Sequence, residues 1–127
     1  MLFIEYPKCT TCQKAKRFLD DRGASYTDRH IKDQPPTYDE LKAWHARSGL
    51  PLKRFFNTSG LAYKALGLKE RLPAMPEEEL LRLLATDGML VKRPILVDGE
   101  RVLVGFREAE WAEQVRPNGG GSAGETV

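Results

Sequence analysis

The arrangement that most restricts this chain lies at its start. "LFIEY" (Leu2–Tyr6) is a short apolar run of strand-favouring residues, and Pro7 ends it. From Thr11 the periodicity changes. In "CQKAKRFLDDRG", Cys12, Ala15, Phe18 and Leu19 recur at three- and four-residue spacing, and Gly23 stands where a helix C-cap belongs. "SYTDRHI" (Ser25–Ile31) then alternates as a second strand does. A strand, a helix and a strand in so short a stretch imply a helical crossover, with the two strands running parallel.

The rest of the chain narrows the architecture further. After the turn "KDQPPT", Thr37 can cap a helix through "YDELKAWHARSG", with Glu40 completing a capping box. Short helical pieces follow in "PLKRFF" and, after an "NTSG" corner, in "GLAYKALG". In "PEEELLRLLATDG", Pro76 and the glutamates behind it suit a helix N-terminus. The stretch from about residue 37 to 88 therefore reads as an all-helical insertion. Beyond "MLVKRP", the runs "ILVDG" and "RVLVGF" flank Asp98-Gly99-Glu100, a hairpin signal, and "REAEWAEQV" makes a closing helix. This order predicts an α/β chain: a four-stranded mixed sheet with helices on its faces, the thioredoxin-like architecture carrying a helical insertion. Residues 1–115 form that domain. The remaining 116–127, "RPNGGGSAGETV", are glycine-rich with almost nothing to bury, and read as a disordered tail.

Composition removes several function classes. With 127 residues, 41% hydrophobic and 30% charged, the chain is of a soluble globular kind. No apolar run reaches the ~20 residues that span a bilayer. "MLFIEYPKC" lacks the basic start and long apolar stretch of a signal peptide, so a cytoplasmic location is expected, where thiols stay reduced. A net charge of +2, mixed in sign along most of the chain, gives no basic face for direct nucleic-acid binding.

The only two cysteines, Cys9 and Cys12, stand in "YPKCTTCQKAK" among Lys8, Lys14, Lys16 and Arg17, with no acid between. Such a pair can be half of a zinc site, a redox dithiol, a nucleophile with a bystander, or an idle pair. Zinc asks for four ligands, and His30 and His45 match no short finger spacing, so no metal is expected. His30 falls near a strand end and His45 on an exposed helix face. Trp44, Trp111 and the stripe Leu80, Leu81, Leu84 read as core. Cys9 lies at a strand-to-helix junction, where free N–H groups and the helix dipole converge. Such a position can lower a thiol pKa from about 8.5 into roughly the 3.5–7.5 range, and Lys8 pushes the same way. Cys9 is thus the better nucleophile, with Cys12 one turn behind to resolve a mixed disulfide.

Taken together, "YPKCTTCQKAK", "NTSG", "DGMLVKRPILVDGERV" and "VGFRE" resemble the arsenate reductase-like (ArsC) family of the thioredoxin superfamily, in its Spx-like branch. The resemblance runs from about Leu2 to Gln114. It implies that Cys9 is the attacking thiol and Cys12 the second cysteine of that branch. It implies that Arg93 faces the thiol, that Pro94 is held in cis, and that Arg107 lies near an anion site. One position departs: arsenate reductases carry an arginine in the corner that here reads Asn57-Thr58-Ser59, so one of three anion-clamping arginines is missing.

The expectation that follows is a cytoplasmic thiol-disulfide oxidoreductase with a redox-active Cys9–Cys12 centre. Its substrate would be a small thiol, disulfide or oxyanion held by Arg93 and Arg107. It would need no cofactor beyond glutathione as a co-substrate, and thioredoxin or glutaredoxin would serve as recycling partner. Two alternatives stand beside it. One is an Spx-like redox-sensing regulator that binds the C-terminal domain of the RNA polymerase α-subunit, although the basic extension of Spx after the last helix is missing here. The other is a glutathione- or glutaredoxin-dependent arsenate reductase.

Overall fold

The computed structural model describes residues 1–115, so the expected disordered tail lies outside them. The described chain divides into two compact units, one of residues 1–29 with 93–115, the other of His30–Lys92.

The first unit carries the sheet. Strand β1 (Leu2–Glu5) leads into helix α1 (Thr10–Asp21) and strand β2 (Thr27–His30); the hairpin β3 (Ile95–Asp98) and β4 (Arg101–Val104) and helix α6 (Glu108–Gln114) close it. The strands lie in the order β2-β1-β3-β4. β3 is antiparallel to both neighbours, with Phe3 opposite Leu96 and Leu96 opposite Leu103, so the mixed sheet places its parallel pair at β1 and β2. The hairpin differs from expectation in one detail. Asp98 still pairs with Arg101, so the loop is Gly99-Glu100, and Gly99 takes the first loop position at φ +60°. A two-residue hairpin needs positive φ there, which glycine supplies without strain.

Helix α1 buries Cys12, Ala15 and Leu19, one apolar stripe at helical spacing, and ends where Gly23 turns left-handed at φ +69°. Of these, Ala15 and Leu19 pack with Phe3, Leu96, Trp111 and Val115. Trp111 is the centre of the cluster, edge-on to Phe3, Phe18 and Phe106, and its indole N–H donates to the Gly105 carbonyl at 3.1 Å.

The second unit is helical: α2 (Tyr38–Ser48), α3 (Leu61–Ala65), α4 (Leu68–Arg71) and α5 (Glu77–Thr86), with 3₁₀ turns at Leu52–Phe55, Leu72–Ala74 and Gly88–Leu90. The capping box is formed as expected: the Glu40 N–H donates to the Thr37 hydroxyl at 3.1 Å, and the Thr37 N–H donates to the Glu40 carboxylate at 3.0 Å. Three features depart from the sequence expectation. The segment is not wholly helical, because Phe56 and Val91 form a β-bridge flanked by Asn57 N–H to Leu90 O (2.8 Å) and Lys92 N–H to Phe55 O (2.7 Å). His45 is half-buried, edge-on to Phe55 at 5.9 Å, because helix α2 turns that face toward the Leu52–Phe55 turn. Leu81 and Leu84 are buried, whereas Leu80 is only half so. Among the described residues no helix is long and apolar enough to cross a membrane.

Candidate functional site

The site is built on the end of β1. Pro7 stops the strand, the chain turns through Lys8, and the Cys9 N–H donates back to the Tyr6 carbonyl at 2.9 Å. Cys9 then serves as the N-cap of α1 in extended geometry, a place usually taken by Ser, Thr, Asn or Asp. Its sulfur does what their oxygens do, accepting the Cys12 N–H at 3.3 Å. A sulfur at the helix start that already receives an N–H donor is placed where negative charge is well accommodated.

The two thiols differ sharply in surroundings. Cys9 is half-exposed and Cys12 is 0% exposed, and both are free. Burial pushes the Cys12 thiol up to about 12; a backbone hydrogen bond from Tyr6 and the charge of Arg93 work against that rise, and the neighbouring Cys9 adds to it. In the free dithiol Cys12 therefore holds its proton at neutral pH.

Arg93 is a cation that the fold brings to this end of the sheet. It is half-buried, with its guanidinium carbon 5.1 Å from the centre of the Tyr6 ring. The Arg93–Pro94 bond is cis, Pro94 is buried, and its carbonyl accepts the Gly105 N–H at 2.8 Å. Arg107 is exposed at the N-cap of α6, just beyond β4; Val104 pairs with Ile95 as Ile4 does, so Arg107 follows the strand end that lies on the same side of the sheet as the end of β1. Lys8 is exposed in the turn before Cys9. No group of His, Cys, Asp and Glu among the described residues has the makings of a metal site. Asn57 belongs to the helical unit, where its carbonyl side chain accepts the Ser59 hydroxyl at 3.4 Å within the corner.

The sequence pattern of the ArsC family matches residues 4–114. The chain belongs to the ArsC family. YusI of Bacillus subtilis (strain 168) is 54% identical over 113 residues, spanning 89% of this chain and 96% of YusI. The crystal structure of a possible arsenate reductase from Streptococcus mutans UA159 is 48% identical, with a TM-score of 0.79, covering 84% of this chain and 90% of that one. The global transcriptional regulator Spx of Enterococcus faecalis (strain ATCC 700802 / V583) is 31% identical over 104 residues, 82% of this chain and 77% of Spx. The fold of this ArsC-family protein is thus thioredoxin-like, as its element order indicated.

Two residues at the same end of β1 escape sequence reasoning. Tyr6 stands just before the cysteines, but no local pattern assigns it a task. Glu5 reads as part of an apolar run, yet it is a carboxyl only 3% exposed. Lys16 of α1 reaches it at 3.4 Å and reaches Asp28 of β2 at 2.7 Å. Burial, with help from Asp28, pushes Glu5 up to about 7 despite the pull of Lys16. The available signal is the acid itself, standing inside a strand that is otherwise apolar.

Proposed function

We propose that this ArsC-family protein is a thiol-disulfide oxidoreductase. The half-exposed Cys9 sulfur at the start of α1, with the fully buried Cys12 behind it, carries the reading. Cys9 attacks one sulfur of a substrate disulfide as the thiolate; a new S–S bond forms, the old one breaks, and the first half leaves as a thiolate. Cys12 then attacks Cys9 in the mixed disulfide, giving its proton to the departing second thiolate and closing a Cys9–Cys12 disulfide. Two electrons pass to the substrate, and a thiol reductant of the glutathione, thioredoxin or glutaredoxin class restores the dithiol. Arg93 attracts a carboxylate or other anion on the substrate. Such chemistry suits a compartment that keeps thiols reduced, as the cytoplasm does.

The test is turnover of glutathione disulfide coupled to a thiol reductant. Cys9→Ser should reduce it to background, and Cys12→Ser should accumulate a mixed disulfide at Cys9, visible as a mass increase of one substrate half. Full turnover by Cys9→Ser would sink the proposal.

The similarity to Spx supports a second reading, in which the same dithiol is a sensor and its oxidation controls binding to the C-terminal domain of the RNA polymerase α-subunit. It predicts no turnover in the wild type, and a pull-down of that domain that changes with Cys9–Cys12 oxidation. Arsenate reduction is the least supported, because Asn57 stands where an anion-binding arginine is expected. It requires glutathione oxidation that depends on arsenate.

A further inference from the structure

The residue that ties the thiols to the cation is Tyr6. Its carbonyl holds the Cys9 N–H at 2.9 Å, and its ring lies 5.1 Å from the Arg93 guanidinium carbon. It is only half-buried, so filling the core does not explain an aromatic side chain there. A free arginine spreads its charge over many rotamers and loses that entropy on binding, whereas one resting on an aromatic face is already placed. We propose that Tyr6 is a positioning residue: its ring presents Arg93 beside Cys9, and the site thereby selects thiol reactants whose anionic group lies close to the reacting sulfur or carbon. As a statement about substrate class this rests on the thiol-exchange reading above. The geometry it describes can be tested without it.

The discriminating probe is alkylation of Cys9 by iodoacetate and by iodoacetamide, followed on the Cys9 peptide by mass spectrometry in the full chain. Both reactions form a C–S bond at Cys9 and expel iodide; they differ in the charge of the reagent. Tyr6→Leu should lower the iodoacetate-to-iodoacetamide rate ratio by about three- to fivefold, the size an incompletely buried cation–π contact supports. Tyr6→Phe keeps the ring and should keep the ratio. Arg93→Gln should lower it at least as far, and adding Tyr6→Leu to Arg93→Gln should lower it no further. A change in general fold or flexibility would move both reagents together and leave the ratio alone.

An unchanged ratio in Tyr6→Leu overturns the proposal, and so does a full additional loss in the double variant. If Tyr6→Leu does not fold, Arg93→Gln decides, since an unchanged ratio there is equally fatal. In turnover, Tyr6→Leu should raise KM for glutathione disulfide but not for uncharged hydroxyethyl disulfide. Absence of any turnover in the wild type would defeat the oxidoreductase reading while the alkylation ratios still judged Tyr6.

Discussion

The two units handle their polar groups in different ways. In the helical unit these groups finish helices: Thr37 and Glu40 close α2, the Asp87 carboxylate accepts the Met89 N–H at 2.8 Å, and Arg82 and Glu78 pair on the surface of α5. In the sheet unit Cys9 caps α1 in the same manner, but other polar groups are wholly or partly buried. Glu5 is 3% exposed, Cys12 is 0% exposed, and Tyr26, held by burial and by its bond to Asp20 at 2.7 Å, is pushed up to about 12. A capping group acts on the end of its own helix, and its main contribution is stability. A buried titratable group changes its proton affinity when the chain folds. Among the described residues that coupling is concentrated in the sheet unit, which is also where both thiols lie.

The harshest way to break the comparison is to open the sheet unit at Trp111. Trp111→Ala removes the ring at the centre of its core and should cost about 3–5 kcal/mol. Trp111→Phe keeps much of the apolar contact but leaves the Gly105 carbonyl without its indole donor, which should cost about 1–3 kcal/mol. Urea unfolding of both variants measures the two losses. Equal losses would mean the polar contact, and not the packing, dominates that core.

A sharper test uses protons. Folded Glu5 keeps its proton to about 7, whereas the unfolded chain releases it near 4.5. Between those values the folded state binds a proton that the unfolded state does not, so the Glu5 contribution falls as pH rises from about 4.5 to about 7 and is flat above. Glu5→Gln keeps an uncharged polar group of the same shape at every pH. Its stability relative to wild type should therefore increase from pH 5 to pH 8, read as diverging thermal or urea midpoints. Parallel curves would show that Lys16 holds Glu5 ionised throughout, against its burial and the neighbouring Asp28.

What the sequence disclosed follows from the range of the forces involved. The β1–α1–β2 start, the capping box at Thr37 and Glu40, and the hairpin at Gly99 are written in neighbouring residues, where periodicity and turn chemistry operate. Cys9 and Cys12 are readable from spacing alone, and the cis bond before Pro94 only through a family resemblance. The Phe56–Val91 bridge, the short helix α4 and the Tyr6–Arg93 contact are not legible there. Each depends on a partner far along the chain or on a run too brief to show a period. Gly88 belongs with them: a Cβ there would collide with the Ile31 carbonyl, a close approach that no local pattern announces.

The mildest test falls on the helical unit. Thr37→Ala removes the acceptor of the Glu40 N–H and leaves the Glu40 side chain holding half of a box. The expected loss is about 1 kcal/mol, the ordinary worth of an N-cap, and Thr37→Ser should restore nearly all of it. Because neither Thr37 nor Ala titrates, the loss should be the same at pH 5 and pH 8 down to where Glu40 itself protonates. This uniformity is what separates the two units. If the Thr37→Ala loss followed the Glu5 window instead, capping at α2 would be coupled to charge in the sheet unit, and the division between end-capping and buried polar groups would fail.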